Sequence, residues 1–178
     1  MWTVSDTFHL LSRNKEEFIL FFSLMFLFWH SGEWGSQWHI APFEEGGAHY
    51  NCSEQYMMAQ KALLFNDLAT HAAIMTATSP SKQKALGRKV RGFDEKVWAQ
   101  HRYQIVLKAN LAKFRQNPEL KKHLLATGNL TIAEASPHDK LWGIGLRASD
   151  PRSQNKERWL GQNLLGQVLM EVRQILQE

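Results

Sequence analysis

The chain has 178 residues, enough for one domain with a buried core, and its 44% hydrophobic and 21% charged residues are typical of a globular protein. The net charge of +4 suits an anionic ligand such as a phosphate without requiring nucleic acid as a partner. The single cysteine, Cys52, excludes an internal disulfide and predicts a reducing compartment, which we take to be the cytoplasm.

The most apolar segment lies near the N-terminus, where residues 18–29 read FILFFSLMFLFW. The run is shorter than the roughly 20 residues that a membrane-spanning helix needs, so no membrane partner is expected. Mixed charges precede it and no small-residue cleavage site follows it, so a buried strand or core helix is favoured over a signal peptide. Its aromatic end, residues 26–29, favours a strand. We interpret residues 1–24 as an extension of uncertain structure and residues 25–178 as one domain.

The first helix is predicted to begin near Asn51, whose side chain is typical of a helix cap. Glu54 follows three residues later, as in a capping box, and the helix continues to about residue 65. Residues 30–50 contain glycine, proline and scattered aromatics, and they indicate loops with short strands.

Two further helices are marked by their caps. Ser79 and Pro80 open a short helix that ends at Gly87. Asp94 caps a long helix over residues 95–114. The helical spacing places four residues of the long helix on one buried face: Trp98, Ile105, Ala109 and Ala112.

The C-terminal third adds two helices and a strand. A helix is predicted from residues 117–118 to a stop at Gly128, and residues 130–134 favour a strand. Residues 147–157 indicate an exposed loop, and the last helix starts near Asn163. Its predicted buried stripe consists of Leu165, Val168, Leu169, Val172 and Leu176. The fold class is therefore α+β, a mainly helical single domain with a few short strands.

Residues 134–145, EASPHDKLWGIG, place two carboxylates, an indole and two glycines close together. They lie at a predicted strand end and loop, where binding and catalytic residues often occur. Asp139 near Trp142 combines a charge with a flat stacking surface, which suits a ligand with a planar ring. Asp139 is alternatively a turn cap, and Glu134 is either a second carboxylate of a site or a structural hydrogen-bonding group.

The predicted helices offer four more candidates. Glu54 and Lys61 share a helix face and could bracket a sugar-phosphate, or they are a capping glutamate and a solvated lysine. Arg88 could bind phosphate or complement a helix dipole. Trp98 is either a core residue or a ligand platform. The histidines show no zinc-binding spacing, and P-loop and nucleophile-elbow motifs are absent, so neither a metal nor another cofactor is expected.

A series of motifs, taken together and in order, resembles the NADAR family, also called YbiA-like N-glycosidases. The resemblance covers about 150 residues, from near Phe26 to the C-terminus. The matching segments are YNCSEQYMMAQKA at 50–62, SP at 79–80, LGR at 86–88, GFD at 92–94 with Trp98, AKF at 112–114, LATG at 125–128, residues 134–145, GQNLLG at 161–166 and LMEVR at 169–173.

The resemblance implies a compact, largely helical α+β fold that hydrolyses N-glycosidic bonds. Its known substrate classes are phosphoribosylamino-pyrimidine intermediates of riboflavin synthesis and ADP-ribose attached to guanine in nucleic acid. Family functional positions fall on Glu54, Trp98, Asp139 and Trp142, and Lys61 is a further candidate that could form an imine with the anomeric carbon. One departure is the loop GSQW at residues 35–38, which lacks the phenylalanine usual in the family.

The expected mechanism uses Glu54 and Asp139 as acid and base at the ribose, in an order that the sequence does not decide. Trp98 or Trp142 would stack on the base, and Arg88 and Lys61 would contact a 5′-phosphate or pyrophosphate. Backbone N–H groups after Asn163 could add anion contacts. The alternatives are a non-catalytic module that binds ADP-ribose or a nucleotide, and a nucleic-acid module, which the modest charge disfavours.

Overall fold

A computed structural model of the protein describes residues 25–178, which form six α-helices and four short β-strands. The predicted N-terminal extension, residues 1–24, lies outside the described residues. The arrangement confirms a mainly helical α+β domain with few strands. None of the described helices is long and apolar enough to cross a membrane.

The elements follow one another in a mostly helical order. They are β1 (Met25–Phe28), β2 (Phe43–Glu45), β3 (Ala48–Tyr50), α1 (Ser53–Leu64), α2 (Leu68–Thr76), α3 (Pro80–Gly87), α4 (Glu95–Gln116), α5 (Pro118–Ala126), β4 (Thr131–Glu134) and α6 (Leu164–Gln177). Two 3₁₀ turns, Pro151–Gln154 and Lys156–Arg158, lie where the sequence predicts only an exposed loop.

The strands form two separate two-stranded sheets. Strand β1 pairs in parallel with β4, so that Phe28 lies opposite Glu134. A parallel pair needs a long crossover, and this one contains five of the six helices. Strands β2 and β3 form an antiparallel hairpin whose turn residues, Gly46 and Gly47, have φ of +61° and +78°. Such left-handed turns match the twist of the strands and favour glycine.

Helix α1 starts later than the sequence predicts. Its N-cap is Cys52, and Asn51 instead accepts a hydrogen bond from the Gln83 side chain (3.0 Å). In a capping box, the side chain of Glu54 would accept a hydrogen bond from Asn51 N. Here Gln55 Oε1 accepts that hydrogen bond instead, at 2.8 Å. The predicted roles of Asn51 as cap and Glu54 as capping-box residue are therefore wrong. The Glu54 side chain is thus not used to cap the helix, and it lines a cavity instead.

The sequence does not predict helix α2, because it buries only Ile74 and lacks an amphipathic stripe. Asp67 caps it by accepting from Thr70 N at 3.1 Å. The same carboxylate accepts from the backbone and the guanidinium of Arg91, both at 2.9 Å, which fixes α2 to the segment before α4. A cap that also anchors a distant segment depends on tertiary structure, which local patterns do not report.

The core lies between α1, α4 and α6, with α6 also packed on β4. Ser79 and Asp94 cap α3 and α4 as predicted. The α6 stripe is buried except for Leu176, which is half-buried, and on α4 Ile105 is half-buried where Val106 and Phe114 are fully enclosed. Apolar contacts thus hold together α1, α4, α6 and β4, which carry several of the polar residues described next.

Candidate active site

A cavity of about 580 Å³ opens between α1, α3, the start of α4 and the loop after β4. Seven of the eight residues singled out in the sequence line this cavity: Glu54, Lys61, Arg88, Trp98, Glu134, Asp139 and Trp142. Residues from segments far apart in the chain therefore meet around one space. The exception is Asn163, which does not line the cavity.

Glu54 lies in the first turn of α1 and is only 3% exposed. Its backbone N–H donates to Gln37 O at 3.0 Å, which fixes the start of the helix against the loop that follows β1. Its Oε1 has no hydrogen-bond partner among the described residues. Burial raises the pKa of this carboxyl to about 7, and the negative charge of Asp139 adds to the shift. Glu54 can therefore exchange a proton at neutral pH.

Glu134 ends β4 and is the second carboxyl of the cavity. Its Oε2 is buried without a partner among residues 25–178. Burial is the largest cause of the rise of its pKa to about 7. The negative charges of Asp139 and, more weakly, Glu54 contribute to the rise. Two glutamates with a raised pKa beside a third carboxylate are typical of catalytic sites.

Asp139 has both of the roles that the sequence left open. Its Oδ1 accepts from Leu141 N at 2.9 Å and from Trp142 N at 2.7 Å, which makes it the cap of a tight turn. It also lines the cavity, and its charge acts on Glu54 and Glu134. The turn thus holds Trp142 at the cavity beside the carboxylate.

Asn163 lies outside the cavity and holds strand β4, which carries Glu134. It is 2% exposed, its Oδ1 accepts from Glu134 N and its Nδ2 donates to Ile132 O, both at 3.0 Å. Both amide atoms are therefore occupied by β4. The backbone N–H groups of Leu164 and Leu165, which were expected to contact an anion, donate instead to Leu141 O and Trp142 O, both at 3.1 Å. Asn163 is a positioning residue for Glu134, held in the left-handed region with φ of +55°.

Glycines allow the loop and α6 to pack at backbone distance from β4. A Cβ on Gly166 would meet Ile132 O and the Asn163 side chain, and a Cβ on Gly161 would meet Gly143 O. Asn163 N donates to Gly143 O at 3.1 Å across the same junction. This close contact sets the position from which Glu134 and Asp139 reach the cavity.

Four cations line the cavity: Lys61, Lys84, Arg88 and Lys140. Lys61 Nζ lies 3.9 Å from the Phe93 ring centroid and 5.7 Å from that of Trp98, a desolvated position over aromatic faces. Burial lowers the pKa of this ammonium. A lysine with a lowered pKa is a better nucleophile because more of it is neutral.

Six further polar or aromatic residues line the cavity and were not singled out from the sequence: Ser36, Gln37, Trp38, Lys84, His138 and Lys140. Gln37 and Trp38 belong to the GSQW loop that was noted only as a departure from the family motif. Gln37 and Trp38 could have been proposed as site residues from the position of the GSQW loop, because it precedes α1 as the corresponding loop does in the family pattern.

A second cavity of about 440 Å³ adjoins the first. Trp38, Lys84, Arg88, Glu134 and Asp139 line both, so the two chambers share a wall. The remaining lining of the second chamber is Trp29, His30, Ser31 and Ser136, together with the shared Ser36 and His138. Trp29 is 39% exposed and its ring centroid lies 6.2 Å from that of His138. An aromatic surface is therefore accessible beyond the cationic wall.

The fold and the cavity define the class of protein: an α+β domain with a cavity lined by three carboxyl groups. The family model for the NADAR domain matches residues 27–177. On this evidence the chain belongs to the NADAR family.

Named relatives agree with this assignment. N-glycosidase R617 of Acanthamoeba polyphaga mimivirus is 49% identical over 144 residues, which are 78% of this chain and 85% of that protein. N-glycosidase YbiA of Escherichia coli is 33% identical over 135 residues, or 76% of each chain. The NMR structure of E. coli YbiA matches with a TM-score of 0.71 at 29% identity, and the match covers 86% of this chain and 84% of that one.

Proposed function

We propose that the protein hydrolyses the N-glycosidic bond of a ribosylated base, the type of activity in the names of its relatives. The observation that carries the proposal is the cluster of Glu54, Glu134 and Asp139 in one cavity, where burial raises the pKa of the two glutamates to about 7. Cleavage develops positive charge at the anomeric carbon and negative charge on the departing nitrogen. A carboxylate stabilises the first, and a carboxylic acid protonates the second.

We assign the proton transfer to Glu54, because its unpartnered Oε1 is available to a substrate. Asp139 supplies negative charge at the ribose, and Glu134, whose pKa is raised like that of Glu54, is a second group that can exchange a proton there. Water then completes the reaction by adding to the anomeric carbon while its proton returns to a carboxylate. Trp98 or Trp142 would hold the planar base by stacking, which stabilises binding by about 1–3 kcal/mol per base.

The two adjoining cavities favour the larger of the two substrate classes, which is ADP-ribose on guanine, over the smaller phosphoribosylamino-pyrimidine. Lys84 and Arg88 line both chambers, so a pyrophosphate held by them would leave one ring system on each side. The guanine would lie in the chamber with Glu54, and the adenine would reach Trp29. A monophosphate with a single ring would fill only the first chamber.

The proposal is tested by incubating the protein with an ADP-ribosylated guanosine oligonucleotide and, separately, with the pyrimidine intermediate. Mass spectrometry should detect the unmodified oligonucleotide together with ADP-ribose. Binding of either compound without any product would identify the chain as a non-catalytic nucleotide-binding module and contradict the proposal.

Replacing Trp29 with alanine should raise KM for the ADP-ribosylated oligonucleotide by about 10-fold, because one stacking contact is lost. The pyrimidine intermediate, which does not extend to the second chamber, should be processed as by the wild type. Steady-state kinetics of both substrates measure the difference, with Trp29→Phe as the control that keeps an aromatic face. An equal loss on both substrates would show that Trp29 does not contact the distal ring.

Lys61 is a candidate nucleophile, because burial lowers its pKa. The neutral amine would bond to the anomeric carbon as the bond to the base breaks, and the nitrogen would then lose a proton. The ribose ring would open at its bond between C1 and the ring oxygen, which takes up a proton, and the resulting imine would be hydrolysed by water to release the sugar and restore the amine. Borohydride added during turnover should therefore leave the reduced sugar on Lys61, located by peptide mass spectrometry. The adduct should be absent from Lys61→Arg, which keeps the charge. An active wild-type protein without an adduct at this peptide would limit Lys61 to contacts with the substrate's charge.

A further inference from the structure

The GSQW loop brings a buried carboxamide to the cavity next to the proposed acid. Gln37 is 7% exposed and lines the chamber that contains Glu54. Its backbone oxygen accepts the N–H of Glu54, so the two residues are in direct contact. Nothing in the sequence motifs had assigned a role to Gln37.

The orientation of the Gln37 amide follows from its neighbour. Asn110 Nδ2 donates to Val106 O and to Gln37 Oε1, both at 2.9 Å. Val106 O can only accept, so the Asn110 atom facing it must be the nitrogen. Gln37 must then present its oxygen to Asn110, and its own NH₂ group turns away from Asn110.

The Gln37 NH₂ group has no acceptor among the residues that the structure describes. A buried donor without a partner destabilises a protein, so such groups usually mark a function or a bound molecule. The loop does not relax to remove the defect, because Lys113 holds it. The fully buried Lys113 donates from Nζ to Trp34 O at 2.8 Å and to Ser36 O at 3.0 Å.

We infer that Gln37 is a substrate-binding residue whose NH₂ group donates to an oxygen of the ligand beside the scissile N-glycosidic bond. This inference rests on the proposed function. The oxygen belongs either to the ribose or to a carbonyl of the base, and both present the same acceptor chemistry. Asn110 and Lys113 fix the donor before the ligand arrives, so binding does not have to order it.

The test is Gln37→Met, which keeps the length of the side chain and removes the amide. We expect kcat/KM for the ADP-ribosylated oligonucleotide to fall by about 10- to 100-fold, as for a lost hydrogen bond in a buried site. The melting temperature should change little, because the unpaired Gln37 donor is removed while Asn110 loses Gln37 Oε1 as an acceptor and keeps Val106 O. Gln104→Met, on the exposed face of α4 away from the cavity, is the matched control.

Calorimetric titration with ADP-ribose locates the acceptor. Weaker binding of ADP-ribose by Gln37→Met places the oxygen on the ribose, whereas a defect seen only with the full substrate places it on the base. Unchanged kinetics and unchanged binding, or a fall in melting temperature that accounts for the lost activity, would overturn the inference. If the wild type binds ADP-ribose but releases no base, the proposed function fails while the titration still tests Gln37.

Discussion

Glu54→Gln should reduce the rate of base release by about 10³-fold or more while leaving the fold intact. The amide keeps the shape of the side chain but can neither take up nor give a proton, and acid–base catalysis typically contributes about 10²–10⁴-fold. Loss of kcat with little change in KM would show that the carboxyl acts in the transition state. Single-turnover measurement of oligonucleotide release gives the rate, and circular dichroism verifies the fold. Wild-type turnover by the folded variant would remove Glu54 from the mechanism.

The same substitution should stabilise the protein at alkaline pH. Burial raises the pKa of Glu54 from 4.5 to about 7, so the folded state binds this proton more tightly than the unfolded state. The stability associated with that proton is present below about pH 4.5 and is lost as pH rises through 7. Glutamine never ionises and avoids this loss.

The gain at pH 8 should be on the order of 3 kcal/mol for this fully buried group. It should nearly vanish at pH 4.5, where the carboxyl is protonated in the folded protein. Thermal denaturation of both proteins at the two pH values measures this difference. A variant that melts below the wild type at pH 8 would mean that the carboxylate is satisfied in the fold.

Gly166→Ala is expected to destabilise the protein by about 3 kcal/mol, the upper part of the range for overpacking, because the new Cβ meets backbone as well as side-chain atoms. It would push α6 from β4 at Ile132 O and displace the Asn163 amide that holds Glu134. A loss of this size should lower the melting temperature by roughly 6–12 °C. Base release should fall as well, since Glu134 loses its backbone anchor.

The matched control is Gly32→Ala. Its Cβ would have no heavy atom within 4 Å, so calorimetry should find its melting temperature close to that of the wild type. If Gly166→Ala melts together with this control, α6 and β4 are not packed at backbone distance in solution.

Local chemistry predicted much of the fold. Ser79, Asp94 and Pro118 marked real helix starts, and the α6 pattern identified its buried face. The start of α1 was misplaced because Asn51 is bonded by Gln83, a residue on another helix. Helix α2 was missed because it buries only Ile74 and has no amphipathic stripe, although Asp67 caps it through a local bond to Thr70 N. The first error occurred where a distant segment competes for a side chain that usually acts locally, and the second where a helix buries little of its own surface.

The sequence predicted which chemical groups belong to the site, but it did not predict their positions and orientations in the cavity. Glu54, Asp139 and Trp142 were chosen by residue type and family motif, and the structure places them around one cavity. Asn163 was chosen because it begins a helix, yet its side chain is occupied by β4. The loop position could have marked Gln37 as a candidate, but the direction of its amide could not be predicted, because it depends on Lys113 and Asn110 holding the loop.

The parallel pairing of β1 with β4 has a consequence for how the molecule is made. On the ribosome, β1 is synthesised long before its partner, and most of the helical chain must emerge between them. Pairings between such remote segments close slowly, because chain entropy opposes them until many other contacts exist. The mutually repelling acids of the cavity would thus be brought together late in folding, after the helical layers have enough stability to hold them.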